Sequence, residues 1–168
     1  MRVLAIDYGD ARTGIAISDT MGMIVGQTTV IHSRNAKKTA LEIQRLVKES
    51  GAELLVMGFP RNMDGSEGPR ADLYREFAAL VEETCGMEVK LWDERRTTVE
   101  AHNILSECNY HGKKRKNTVD AVAASLILEG YLSFLARRGA VSSSRIPTNS
   151  NKPPNSLRKS PVSIPVAK

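Results

Sequence analysis

The chain has 168 residues, a length that suits one domain with a sizeable hydrophobic core. Apolar residues make up 41% and charged residues 26%, which excludes a disordered, collagen-like or disulfide-rich chain. No uninterrupted apolar run approaches the ~18 residues that a membrane helix needs, and no signal peptide is visible at the N-terminus. Cys85 and Cys108 match no metal or redox spacing, so we expect reduced thiols in a cytoplasmic protein without membrane contact.

The net charge of +5 belongs to the C-terminal segment. From Gly139 onward there are five basic residues and no acid, so residues 1–138 hold 19 basic and 19 acidic residues. The same segment contains five of the seven prolines and shows no apolar periodicity. We therefore expect one folded domain over residues 1–138 and a disordered basic tail over residues 139–168.

Three short strands are predicted first, at Arg2–Ile6, Gly14–Ser18 and Gly26–Ile31. Apolar residues at helical spacing then predict a helix from Asn35 to Ser50, closed by Gly51. The elements that follow are a strand at Leu54–Met57, a helix from Pro69 to Gly86, a strand at Val89–Trp92, a helix capped by Thr97 and a last helix capped by Asn117 or Thr118. This order, βββαβαβαα, indicates an α/β protein.

The first polar motif follows the first predicted strand. Asp7 stands at the carboxyl end of that strand, where α/β sheets place ligands. Gly9 and Gly14 allow a tight hairpin, and Arg12 supplies a bidentate phosphate donor. The alternative is a hairpin turn that is simply rich in Asp and Gly.

A polar loop follows the fourth predicted strand. Asn62 and Ser66 lie in it, shortly before a helix begins, and such a loop can cradle a phosphate. The alternative is a plain connection in which Ser66 helps to cap the helix.

A third cluster stands at the end of the last predicted strand. It combines the acids Asp93 and Glu94 with Arg95, Thr97 and Thr98, a set that can hold a phosphodiester near a helix N-terminus. Strand alternation groups Asp93 with Leu91 and Glu94 with Trp92, and which acid faces a site stays open. The alternative is a local ion-pair cluster with a helix cap.

A run of four basic residues precedes the last helix: Lys113, Lys114, Arg115 and Lys116. It could bind a polyanion or be a solvated face. Asp120 follows in the first predicted turn, where a carboxylate also suits the helix dipole.

Acids from the first strand, the last strand and the last helix could converge at one sheet edge. Asp7, Asp120 and either Asp93 or Glu94 would repel one another, and a divalent cation resolves that repulsion. Hard oxygen ligands suit Mg²⁺ or Mn²⁺, which support phosphodiester hydrolysis.

Taken together, these motifs resemble the YqgF/RuvX family, bacterial proteins related to Holliday-junction resolvases. The resemblance covers about residues 1–138. It implies an RNase H-like fold with a mixed five-stranded sheet flanked by helices, and a metal-dependent nuclease that matures the 5′ end of pre-16S ribosomal RNA. By motif position, Asp7 would be the central metal-binding acid, Asp120 the helix-borne acid, and Glu94 or Asp93 the remaining carboxylate.

One departure concerns the fourth strand. Junction resolvases and RNase H enzymes carry an acid at its end, whereas residues Leu54 to Pro60 contain none, so the number of metal ions stays open. The expected partners are structured precursor RNA or branched DNA and a ribosomal precursor particle, with the chain a monomer or weak homodimer. Alternatives are junction resolution, a non-catalytic RNA-binding assembly factor and, less favoured, an actin-like ATPase.

Overall fold

The computed structural model describes residues 1–93 and 113–143, and side chains in the last helix from 118 to 140. Eight elements occur there. They are β1 Val3–Asp7, β2 Arg12–Ser18, β3 Val25–His32, α1 Ala36–Ser50, β4 Leu54–Phe59, α2 Ala71–Cys85, β5 Val89–Asp93 and α3 Lys113–Ser143. The predicted helix from Thr97 lies outside the described residues.

The five strands form one mixed sheet in the order β3-β2-β1-β4-β5. Strands β1, β2 and β3 pair antiparallel, whereas β4 and β5 run parallel to β1. The carboxyl ends of β1, β3, β4 and β5 therefore meet at one edge of the sheet. This sheet confirms the predicted α/β class and the strand arrangement expected of an RNase H-like fold.

Alternation along the strands gives the sheet two apolar faces. Leu4, Ile6, Ile15 and Met57 belong to the core shared with α1 and α2. On the opposite face, Val3, Ala5, Ala16 and Val56 pack with Ala124, Ile127, Leu128 and Tyr131 of α3. Each face is thus closed by its own helical layer.

Local signals fix the two shorter helices. Asn35 accepts a hydrogen bond from the backbone nitrogen of Lys38 at 3.0 Å and so caps α1, and Gly51 ends it in the left-handed conformation at φ 68°. Gly86 ends α2 in the same way. However, α2 begins at Ala71 rather than at Pro69, and no side chain caps it.

The last helix is longer than the sequence predicts. It is already helical at Lys113 and continues through Gly139 to Ser143, so neither Asn117 nor Thr118 is its cap. Asp120 is the eighth described residue of α3. It therefore does not lie in the first turn of the helix, where a carboxylate would interact with the helix dipole. The first five residues of the predicted tail are helical, and residues 144–168 lie outside the described part.

Among the described residues, one helical stretch, Thr118–Ala140, is long and apolar enough by length and composition to cross a membrane. The core helix of a soluble protein meets the same test of length and composition. Asp120 and Glu129 are the only charged residues between positions 118 and 136. The buried face of this helix packs on the sheet through Ala124, Ile127 and Leu128, as a core helix requires.

Candidate active site

Asp7 is the last residue of the central strand β1 and lies on the sheet face that α3 covers. Val3 and Ala5, two and four residues earlier, pack in the α3 core, and alternation places Asp7 with them. Across the ladder its register partner is Gly14 of β2. Paired residues of this kind have Cα atoms about 4.5–5.5 Å apart. Asp7 therefore stands directly beside Gly14 at the sheet edge where the carboxyl ends of β1, β3, β4 and β5 meet, which we call the catalytic edge because it carries the candidate site.

At Gly14 the backbone of α3 lies close against the sheet. A Cβ atom placed on Gly14 would overlap the backbone oxygen of Asp120, with the Asp120 carbonyl carbon at 2.8 Å and the Ala124 Cβ at 3.3 Å. Only glycine fits this contact. Asp7 and Asp120, which are 113 positions apart in the sequence, thus flank the same residue.

Arg12 fixes the side chain of Asp120. Its Nε donates a hydrogen bond of 2.6 Å to Oδ2 of Asp120, and the two side chains are 33% and 20% exposed. Arg12 shares the α3 face with Gly14 and Ala16 because these residues alternate along β2. A guanidinium has five N–H donors, and this bond engages the one on Nε.

Contacts with α2 anchor the hairpin that connects β1 to β2. Tyr8 stacks on Phe77 with ring centroids 3.8 Å apart, and its backbone oxygen accepts a hydrogen bond of 3.0 Å from the Tyr74 hydroxyl. Asp10 pairs with Arg70 at 2.9 Å. These contacts hold the turn that positions Asp7 and Arg12.

The pKa of the Tyr8 phenol is raised, chiefly by burial and also by the Asp10 charge, while Arg70 lowers it. Tyr8 is therefore an anchoring side chain that stays neutral near pH 7, and it is unsuited to act as a base.

Of the two acids in the third motif, the structure describes Asp93, the last residue of β5. Asp93 pairs in register with Phe59, and alternation places it with Val89 on the α1 and α2 face. Trp92 instead packs against Tyr131 and Phe134 of α3, on the face of Asp7. Glu94, Arg95, Thr97 and Thr98 lie outside the described residues.

In the loop after β4, polar side chains form hydrogen bonds with one another. Asn62 Nδ2 donates to Ser66 Oγ at 2.9 Å, and Ser66 Oγ donates to Asp64 Oδ1 at 2.6 Å. Ser66 does not cap α2, so that part of the alternative is wrong, whereas a plain connection remains compatible with these bonds. Phosphate binding by Asn62 and Ser66 stays a prediction.

The basic run lies on α3 close to Asp120. Lys113, Lys114, Arg115 and Lys116 occupy the first four described positions of the helix, between seven and four residues before the acid. At a rise of 1.5 Å per residue, this distance is about 6–10 Å along the helix axis. The run is thus placed on the helix that carries a candidate catalytic acid.

The residues that the structure brings together suit a hard divalent cation. Asp7 and Asp120 offer carboxylate oxygens on one sheet face, and Gly14 allows the backbone segments to meet without a side chain between them. No group of three or more His, Cys, Asp or Glu residues that could hold a metal occurs within residues 1–93 and 113–143. The third acid predicted for the site, Glu94, falls outside those ranges.

Two features of the site carry no local sequence signal. The ion pair between Arg12 and Asp120 joins residues 108 positions apart. The fit of Gly14 under α3 depends on where the helix lies, whereas the sequence alone suggested a role in a turn. Both follow from the sheet topology.

Comparison with known proteins identifies the family of this chain. The sequence profile of the family described as RuvX: Holliday junction resolvase matches residues 1–134. The chain therefore belongs to the RuvX family, which confirms the predicted resemblance and the predicted enzyme class, a nuclease that hydrolyses phosphodiester bonds.

Relatives from two bacteria carry the name "Putative pre-16S rRNA nuclease". The protein of Halothermothrix orenii is 43% identical over 134 residues, covering 80% of this chain and 96% of its own. That of Clostridium beijerinckii is 39% identical over 138 residues, covering 82% and 100%.

Two solved resolvase structures are also similar. Thermus thermophilus RuvC is 14% identical with a TM-score of 0.49, over 83% of this chain and 97% of its own. The Fowlpox virus resolvase bound to Holliday junction DNA is 7% identical with a TM-score of 0.48, over 84% and 99%.

Proposed function

We propose that this protein is a divalent-cation-dependent nuclease of the cytoplasm that processes the 5′ end of pre-16S ribosomal RNA. The observation that carries the proposal is the meeting of Asp7 and Asp120 at Gly14, on the sheet edge where the parallel strands end. The names of the relatives support the choice of substrate. Cleavage at one phosphodiester needs one such site, so a monomer or weak homodimer suffices.

Asp7, Asp120 and Glu94 would hold the cation, Mg²⁺ or Mn²⁺. The placement of Asp93 on the opposite face supports Glu94 as the third carboxylate, because Trp92 and not Asp93 shares the face of Asp7. When bound, such a cation lowers the pKa of a water and stabilises charge on the leaving oxygen.

The protein's basic side chains would hold the RNA backbone. Arg12 holds Asp120 through Nε, and its remaining N–H donors would contact a phosphate next to the acids. Arg95, Thr97, Thr98 and the basic run from Lys113 to Lys116 would bind phosphates further along the strand. A ribosomal precursor particle would present such an RNA.

The first test compares two carboxylates of the same hairpin. Asp7→Asn should reduce cleavage of a precursor RNA to background, with either Mg²⁺ or Mn²⁺, because a cation ligand is lost. RNA binding and the melting temperature should change little. Asp10→Asn is the matched control, since Asp10 is exposed and paired with Arg70, and it should cleave at nearly the parental rate.

Two outcomes would overturn the proposal. An Asp7→Asn protein that cuts at the parental rate would exclude the assigned site. A parent chain that binds the RNA but shows no turnover with Mg²⁺ or Mn²⁺ would indicate a non-catalytic assembly factor instead.

A second candidate function is the resolution of four-way DNA junctions by the same chemistry. The description of the matching family favours it. It requires paired symmetric cuts and therefore two active sites in a dimer. Cleavage of a synthetic junction and of precursor RNA, measured side by side with the same preparation, separates the two functions.

A further inference from the structure

An open groove of about 520 Å³ lies between the edge strand β3 and α3. Its lining includes Thr28, Val30 and His32 from β3 and Thr118, Ala121 and Ser125 from α3. The three β3 residues are two positions apart, so they present one face to the helix. Thr28 and His32 are exposed. The volume lies within the range of about 300–1,000 Å³ that is usual for ligand sites.

The groove lies next to the candidate active site. His32, at one end of it, is the register partner of Arg12, whose guanidinium bonds Asp120. On the helix side, Thr118 and Ala121 stand two residues before and one residue after Asp120. A chain lying in the groove would therefore arrive at the acids that hold the cation.

The chemistry of the lining suits a sugar–phosphate backbone. The described lining residues offer hydroxyl and imidazole groups beside Val30, Ala121 and Val122, and none of them is acidic or is Phe, Tyr or Trp. Hydroxyl groups and imidazole can bond ribose hydroxyls and phosphate oxygens, and the His32 imidazole is the one aromatic ring among these described residues on which a base could stack. Lys114 lies four residues before Thr118, one helical turn nearer the start of α3.

We propose that this groove binds the single-stranded RNA flank of the cleavage site, through ribose 2′-hydroxyls and phosphates and with little base preference. The inference rests on the proposed function. The groove is bordered by the edge strand β3 and open to solvent, so a single strand can enter it from the side. It orients the strand so that the scissile phosphate reaches Asp7 and Asp120.

The test uses neighbouring residues on opposite faces of β3. Thr28→Glu puts a negative charge into the groove, and Gln27→Glu, also exposed, puts the same charge on the other face. The full chain carries Asp7→Asn so that the probe, a fluorescent oligouridine, is not cut. We expect Thr28→Glu to raise the Kd roughly tenfold and Gln27→Glu to change it less than about twofold.

Cleavage by otherwise parental chains gives a second readout. Thr28→Glu should raise KM for precursor RNA and leave kcat nearly unchanged, because the groove binds the substrate away from the reacting atoms. If Thr28→Glu fails to fold, as judged by its melting temperature, Thr28→Ala decides: it keeps the fold, removes the hydroxyl and should raise the Kd roughly threefold.

The outcomes separate this proposal from the proposed function. Equal losses for Thr28→Glu and Gln27→Glu, or none for the Thr28 variants in a chain that cuts RNA, overturn the groove alone. Oligodeoxyuridine bound as tightly as oligouridine overturns recognition of the 2′-hydroxyl. A parent chain that neither binds nor cuts RNA overturns the proposed function itself.

Discussion

The two faces of the sheet differ in the size of their side chains. Toward α1 and α2 the strands present large residues, including Leu4, Ile6, Ile15, Leu55 and Met57. Toward α3 the central strands present smaller ones in the core, namely Val3, Ala5, Gly14, Ala16 and Val56, while the large Trp92 packs at the edge strand β5. Large side chains bury more apolar area, whereas small ones let a helix lie close to the strands. The first face contributes more to stability, and the second brings Asp120 to the strand ends.

The largest expected effect on activity comes from the small-residue face. In Gly14→Ala the new Cβ overlaps the Asp120 carbonyl, so α3 must move and the two acids separate. We expect cleavage of precursor RNA to fall by more than about tenfold, with a loss in unfolding free energy of about 1–3 kcal/mol. Gly26→Ala, at the far end of the sheet, is the control and should cleave normally. Parental activity in Gly14→Ala would show that the close approach of α3 to Gly14 is not needed to bring Asp7 and Asp120 together.

Ile15, next to Gly14 in the sequence, lies on the large-residue face, and its replacement should lower stability while leaving activity nearly unchanged. Ile15 is fully buried, and Ile15→Ala should lower the unfolding free energy in urea by about 2–5 kcal/mol because it leaves a cavity. Cleavage per folded molecule, measured well below the urea midpoint, should stay near the parental value. A strong loss of activity at unchanged stability would contradict the division between the faces.

The ion pair between Arg12 and Asp120 at the catalytic edge should contribute less to the unfolding free energy than Ile15 does. A double-mutant cycle with Arg12→Gln and Asp120→Asn, measured as unfolding free energies in urea, should give a coupling energy of about 1 kcal/mol. The value is modest because both side chains are partly exposed. The coupling should fall as salt is added. A coupling near zero would mean that Arg12 does not hold Asp120 in solution.

The smallest expected effect is on the pH dependence of stability, and it involves one tyrosine on each face of the sheet. Burial is the first cause that raises the phenol pKa of Tyr8, beside α2, and of Tyr131, on α3. The folded chain holds these protons more tightly than the unfolded chain, so this stability is complete below the ordinary pKa of 10.0 and is lost as pH rises from there through the raised pKa of the folded state. Urea unfolding between about pH 9 and pH 11 should show a shallower decline in Tyr8→Phe and Tyr131→Phe. If the unfolding free energy of both variants declines with pH as steeply as that of the parent, the raised pKa values of the two phenols are refuted.

Sequence patterns located all five strands but ended them early at the catalytic edge. Strand β1 extends to Asp7, β2 begins at Arg12 and β3 reaches His32, each one or two residues beyond the apolar run. Polar residues at these strand ends interrupt the apolar pattern, although their backbones still pair. The positions that the pattern missed are those that carry the candidate chemistry.

The start of the last helix was mispredicted for a related reason. Four adjacent basic residues and Asn117 favour a loop and a cap by local rules, yet α3 is continuous through them. Tertiary packing of Ala124, Ile127 and Leu128 on the sheet stabilises the helix as a whole. Contacts between distant parts of the chain, such as Arg12 with Asp120, need the sheet order before they can be foreseen.

The length of α3 also determines where the chain can be modified. Ser143 is 23 residues after Asp120 on the same helix, which corresponds to about 35 Å along its axis. An affinity handle or a surface linker joined after Ser143 would thus be attached far from the acids. Immobilisation through that end should leave the catalytic edge accessible to large RNA particles.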